Sequence, residues 1–203
     1  SYTLLVPVGL GDSGVCVAEL VAALSLGTDL GLGQPMEHVL RMCVVALGLA
    51  ERLGLDESER SMVYYVALLA WVGCCADSFE QARWFGDDIA ARADYYPTDL
   101  VGVNKARFVI RHVGAGDAPA RRARTALDFL LSGREAIESM RGTHCVIAGD
   151  LAGRLGLGEA VREALGEVFE RWDGRGDPGL LAGSAISRPV RLVQLADVVE
   201  VFH

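Results

Sequence analysis

The sequence is poor in several things, and each shortage excludes something. Lysine is almost missing: Lys105 is the only one, against eighteen arginines. Arginine still caps helices and pairs with phosphate, so the physical cost is small. Basic charge is outweighed: 19 Lys and Arg face 27 Asp and Glu, a net charge of −8 and a pI near 5.0. A broad nucleic-acid surface needs clustered positive charge, so none is expected here. Aromatic residues are only 7% of the chain. Leu, Val and Ala must therefore build the core, which suits packed helices better than a β-sandwich. No uninterrupted apolar run reaches the roughly 18 residues that span a bilayer. No secretory signal precedes the five cysteines (Cys16, Cys43, Cys74, Cys75, Cys145), and no pair has zinc-knuckle spacing. The expectation is a cytoplasmic chain with reduced, mostly buried thiols.

What is present is apolar bulk arranged with helical spacing. The 203 residues are 51% apolar, enough for a substantial core. Val39, Leu40, Cys43, Val44, Leu47, Ala50 and Leu53 recur every three or four residues after Pro35 and Glu37, so a helix starts there. Asp56 with Glu59 forms a capping box for a helix over 57–72 that is apolar on most sides and therefore central. Further helices are expected over 15–26, 78–93, 100–113, 118–131, 134–155, 159–172 and 190–202. The glycine-rich stretch from Asp173 to Arg188 reads as a structured loop. The fold class is all-α, a bundle of about eight or nine helices. Residues 15–203 read as one domain, and 1–14 as an N-terminal arm or expression remnant.

Gly9, Gly11 and Gly14 match G-x-G-x-x-G, but a dinucleotide site also needs a second strand, and the glycine-rich 28–34 stretch does not supply one. Arg121, Arg122 and Arg124 form the densest basic run, read as a solvated helix face with a phosphate contact as the alternative. Cys74-Cys75 could suggest redox or metal chemistry, but thiols following a core helix are more simply structural.

The stretch Glu170-Arg171-Trp172-Asp173-Gly174-Arg175-Gly176-Asp177-Pro178, with Gly179-Leu180-Leu181-Ala182-Gly183, Ile186, Arg191-Leu192-Val193 and Ala196-Asp197, resembles the HD-GYP family of helical phosphohydrolases. There the pattern runs E-R-W-D-G-x-G-Y-P; Asp177 departs from its tyrosine. Upstream, His38 and the 50–60 stretch are similar to the first helix pair. Leu68-Leu69-Ala70-Trp71-Val72-Gly73 is similar to L-L-H-D-I-G, and Thr143-His144 to a second histidine segment. The likeness extends from about residue 15 to 203 and is greatest to actinobacterial HD-domain proteins that often carry a LuxR-type helix-turn-helix.

The resemblance implies a metal-assisted attack of hydroxide on phosphorus, with imidazole and carboxylate ligands. It also implies that this chain has lost most of them. Ala70 and Trp71 stand where the family has His-Asp, Val168 and Phe169 where it has a double histidine, and Cys74 where a lysine is usual. The residual candidate ligands are His38, His144 and Asp197, with Asp77 and Glu200 as helpers. Each also has a plain reading. His38 could be a half-exposed surface histidine and His144 a buried, hydrogen-bonded one. Asp197 needs a partner such as Arg191 or His144, and Asp77 and Glu200 suit exposed or capping positions.

In the surviving loop Glu170, Trp172, Asp173, Gly174, Gly176 and Pro178 are expected to be structural. Trp172 would pin the loop to the core and Asp173 would bond loop amides. Function is expected to be a non-catalytic sensory, ligand-binding or protein-interaction module, with an apolar cavity beside Trp71, Val168 and Phe169. The alternative is a phosphohydrolase with a reduced site. No cofactor is expected under the first reading, and a divalent Fe, Mn or Zn under the second, held by His144 and Asp197. The expected partner is a small molecule or a regulatory protein, with a homodimer left open, and neither a membrane nor nucleic acid.

Overall fold

The computed structural model describes residues 16–75, 78–95 and 102–202. The arm over 1–14, with its three glycines, and Asp77 lie outside the described residues. Among the described residues the chain is all-helical: α1 (Val17–Leu32), α2 (His38–Arg52), α3 (Glu57–Leu69), α4 (Ser78–Phe85), α5 (Asp88–Tyr95), α6 (Gly102–His112), α7 (Pro119–Arg154), α8 (Glu159–Gly166) and α9 (Arg188–Phe202). Short 3-10 turns cover Val72–Cys75 and Gly183–Ala185. None of these helices is long and apolar enough to cross a membrane.

Helix α3 is central, as its composition predicts. It packs against α1, α2, α8 and α9, and Val63, Val66, Ala67, Leu68 and Leu69 are buried. A buried Val or Leu side chain contributes roughly 1.5–3 kcal/mol. The capping box forms: Glu59 N–H donates to Asp56 Oδ1 (2.8 Å) and Asp56 N–H to Glu59 Oε2 (3.2 Å). A second cluster lies outside this core, where Trp84 and Phe85 of α4 and Phe129 of α7 meet edge to face at 5.5 and 5.7 Å.

The helix boundaries differ from the sequence reading in five places, some for local and some for tertiary reasons. Helix α1 runs past its glycines to Leu32 and stops at Gly33, in the left-handed region (φ 65°). Helix α3 stops at Leu69, short of Val72, because the next turn presses onto α7. A Cβ on Gly73 would lie 2.6 Å from the His144 carbonyl oxygen, so only glycine fits that approach. The expected helix over 78–93 is two, since Asp87 caps the second by accepting from Ala90 N–H (2.9 Å). The two expected helices over 118–131 and 134–155 are the single 36-residue α7. Ser132 Oγ donates to the Asp128 carbonyl within the helix (2.9 Å), and Gly133 is covered by the Phe129 ring, so neither residue breaks it. Helix α8 ends at Gly166 instead of Trp172 because carboxylates beyond it draw the chain into the loop: Glu167 Oε2 accepts from Ser187 N–H at 2.7 Å.

The basic run is partly built into the scaffold. Arg122 donates to the Val113 carbonyl (3.2 Å) and to that of Ile110 at the end of α6, and Arg121 pairs with Asp117 (3.4 Å). Cys43 and Cys145 have thiols pushed up by burial, to about 12 and about 11, so both stay protonated near neutrality.

The continuity of α7 is directly testable. Ser132→Pro should cost about 3 kcal/mol and lower helical circular dichroism, because proline in a helix interior removes a hydrogen bond and clashes with the preceding turn. Neutral behaviour in a urea melt would restore a loop at that position.

Candidate functional site

The residual candidate ligands divide between two clusters. The first joins the start of α2 to α9. His38 is fully buried, which corrects the expectation of a half-exposed histidine. Its Nδ1 donates to Glu200, and its Nε2 lies 3.4 Å from Asp197 Oδ1. Arg41, one turn on, donates through Nε to Glu200 Oε1 at 2.6 Å and through Nη1 to the Met36 carbonyl at 2.9 Å. Asp197 therefore finds its partner in His38, not in Arg191 or His144. Asp29 of α1, itself buried, accepts from Val39 N–H (3.0 Å) and fixes where α2 begins, and so where His38 sits. No local pattern marked Asp29, because its partner lies ten residues on.

Burial on its own would lower the pKa of His38. Hydrogen bonds and charge attraction from Asp197 and Glu200 oppose that and prevail, so the imidazole is raised above its usual value. With the imidazole protonated, His38 and the partly exposed Arg41 would set two cations against the carboxylates of Asp197 and Glu200.

The second cluster holds His144, which is 1% exposed in the middle of α7. Its Nε2 donates to the Ala70 carbonyl at 2.6 Å. Its ring meets Phe169 at 4.9 Å and Trp71 at 6.3 Å, and Trp71 meets Phe169 at 5.9 Å, all edge to face. Burial pushes this imidazole below its usual pKa, partly offset by the bond to Ala70, so it is neutral. The two histidines are shifted in opposite directions from the ordinary imidazole value.

These groups do not fit a binuclear metal centre. Ala70 and Trp71 offer no donor for a cation, His38 is engaged by carboxylates, and His144 spends Nε2 on a backbone carbonyl. Among the described residues, no group of three His, Cys, Asp or Glu side chains is arranged to hold a metal ion.

A cavity of about 260 Å³ opens beside His144, Trp71 and Phe169. Val168 is not in its lining; that residue packs toward the core, and its carbonyl accepts from Gln194 Nε2 (3.1 Å). Sequence reasoning missed most of the wall: Phe85, Phe108, Phe129 and Met140 come from α4, α6 and α7. The available signal was the scarcity of aromatics, which makes each one informative.

The surviving loop hangs from Glu170, not from its tryptophan. Glu170 is 2% exposed, and its carboxylate accepts from Gly179 N–H (3.1 Å), Leu180 N–H (2.9 Å) and Leu181 N–H (3.2 Å). Trp172 is 64% exposed, under the Arg191 guanidinium at 5.8 Å, so it does not pin the loop. Asp173 does bond a loop amide: Arg175 N–H donates to Oδ1 at 3.1 Å. The Arg171 side chain and that amide hold its carboxyl down to about 2. Gly174 takes φ 73°, and Gly176 crosses the chain so closely that a Cβ would sit 2.4 Å from Arg171 N. Pro178 follows a cis peptide bond.

No protein-family model matches the chain. It is similar to a 3'3'-cGAMP-specific phosphodiesterase 3 of Vibrio cholerae, 27% identical over 188 residues, 92% of this chain and 41% of that protein. It is also similar to a crystal structure of a cyclic GMP-AMP-specific phosphodiesterase of the same organism, with a TM-score of 0.61, 26% identity, and 92% and 40% of the two chains covered. The chain thus spans about two fifths of the length of the proteins it matches. The likeness supports the HD-GYP resemblance at a coarse level.

Two outcomes follow from this geometry. A group whose folded pKa is raised stabilises fully below its unfolded value, about 6.5, and loses that contribution as pH rises through the folded value. The stability gap between the parent and His38→Gln should therefore be largest near about pH 6 and shrink on alkalinisation. A gap constant across chemical melts at acidic and alkaline pH would contradict a charged His38. In the loop, Glu170→Ala should cost about 3 kcal/mol, since three amides lose their acceptor. Trp172→Ala should cost less than about 1 kcal/mol by the same urea titration.

Proposed function

We propose that this chain is a catalytically degenerate HD-GYP-type domain that serves as a sensory, ligand-binding or protein-interaction regulatory module. The observation that carries this reading is the Ala70-Trp71 pair. The family's chemistry needs nitrogen and oxygen donors at that point. This chain offers a methyl group and an indole, with His144 turned onto the Ala70 carbonyl. The histidine and aspartate left on α2 and α9 face each other as an ion pair. A cavity walled by apolar side chains lies against the same Trp71 and suits a small ligand.

A second reading has its own support. The similar Vibrio protein is a 3'3'-cGAMP-specific phosphodiesterase, and the likeness runs through 92% of this chain. Under that reading the chain is a metal-dependent phosphodiesterase with a reduced site built on His38 and Asp197.

Three measurements on the purified chain separate the two. After exposure to Fe, Mn or Zn, elemental analysis should find metal well below one equivalent, and 3'3'-cGAMP should remain intact. Excess Mn should leave the melting temperature unmoved, since a ligand that binds only the native state raises it. Stoichiometric metal with hydrolysis, abolished in a folded His38→Ala variant, would replace the first reading with the second.

A further inference from the structure

The wall of the cavity is unusual for this chain in two respects. The sequence holds six phenylalanines and three tryptophans. Four of those phenylalanines (Phe85, Phe108, Phe129 and Phe169) and Trp71 line this one cavity. They meet edge to face, with Phe85 to Phe108 at 6.2 Å and Phe85 to Phe129 at 5.7 Å, so ring edges and faces are presented together. The second respect is charge. The protein as a whole carries an acidic excess of eight. Yet among the described residues of the lining there is no carboxylate, while Arg92, Lys105 and Arg141 are all present.

The three cations are not equivalent. Arg92 is matched by Asp88 at 3.0 Å, and Arg141 has Asp177 at 3.7 Å. Lys105, the sole lysine of the chain, makes no ion pair with the described residues and is exposed at the mouth. An ammonium at the end of a flexible stem suits a single anionic head, held as a point charge.

Size sets the upper bound. A dry cavity of about 150 Å³ lined by Leu, Ile and Phe takes up benzene. A cavity of about 260 Å³ has room for one or two fused rings and a small substituent. A cyclic dinucleotide would set two phosphates against a wall that is mostly apolar.

We propose that this cavity binds a small planar aromatic monocarboxylate, its ring among Trp71, Phe85, Phe108, Phe129 and Phe169 and its carboxylate at Lys105. This rests on the ligand-binding reading given above and names the ligand class for it. The ring displaces water from an apolar cage, and the carboxylate keeps solvent on one side while facing the one lining cation that lacks an anion among the described residues. The imidazole of His144, its pKa lowered by burial, adds no charge to the wall.

The test uses the full chain and calorimetric titration with three probes: 2-naphthoate, its neutral carboxamide, and octanoate, an anion of similar length without a ring. The naphthoate should bind roughly threefold more tightly than its carboxamide, which lacks the charge for Lys105, and more tightly than octanoate, which lacks a ring for the aromatic wall. Lys105→Gln should bring the naphthoate to the affinity of the carboxamide. Ile137→Trp fills the cavity from a half-buried position on α7 and should abolish binding with the melting temperature retained. The comparison among probes needs no variant, so it stands if Ile137→Trp fails to fold. Absence of naphthoate binding, equal binding of the carboxamide, or tighter binding of octanoate would overturn the proposal. None of these outcomes alters the metal and hydrolysis measurements, so the ligand class and the regulatory reading fall separately.

Discussion

A buried imidazole held between two carboxylates is the interaction on which the arrangement depends. His38 opens α2, and Asp197 and Glu200 belong to α9, so the contact closes the second helix onto the last. A buried ion is tolerated only when it is paired, and removal of one partner leaves an uncompensated charge that is far costlier than the pair was favourable. Here the pairing is complete only with the proton in place: His38 and Arg41 against Asp197 and Glu200. Once α9 is seated, the loop before it is seated as well. Gln194 of α9 donates to the Val168 and Glu170 carbonyls at 3.1 and 2.7 Å, and Glu170 in turn collects the amides of 179–181. The order of dependence runs from one ion pair to a helix, and from that helix to the loop that carries the HD-GYP-like motif.

What was legible in the sequence depends on near neighbours. Apolar spacing located the helices and made α3 central, and Asp56 with Glu59 marked a cap because the box closes within three residues. A distant contact such as the Glu167–Ser187 bond beyond the end of α8 could not be read at all. Elsewhere the signal was local but open to two readings: the break between α4 and α5 requires Asp87 to turn its carboxylate onto Ala90, and the continuity of α7 requires Phe129 to cover Gly133. Composition at those points is ambiguous between a stop and a packing contact. In the loop the motif itself was legible but its division of labour was not. A tryptophan suggests an anchor by size alone, whereas the anchor is a carboxylate whose three acceptor bonds exist only after the loop has curled back on it.

The candidate site shows the same division. His38 and Asp197 were both identifiable as residual donors, but not as each other's partner, since about 160 residues separate them. The aromatic cage was invisible for a related reason. Phe85, Phe108, Phe129 and Phe169 stand on α4, α6, α7 and the turn after α8, and each alone is an ordinary core residue. Only the concentration of a scarce residue type around one cavity distinguishes them.

On the degenerate reading, the two histidines show how a fold can outlive its metals. A cation in such a site would balance carboxylates and would fix the orientation of imidazoles. At His38 a proton would take over the charge balance, favoured by the Asp197 and Glu200 carboxylates that raise the pKa of the ring. At His144 a backbone carbonyl takes over the orientation. Ala70 accepts from Nε2 and sets the ring plane, while burial keeps the ring neutral. The opposite pKa directions are then two answers to the same loss, chosen by whether carboxylates remained nearby. Carboxylates stayed at α9, so charge stayed there. Near Trp71 and Phe169 none of the described residues lining the wall is a carboxylate, so the neutral ring became part of an apolar surface. A cavity suited to carbon therefore lies beside His144 instead of beside His38.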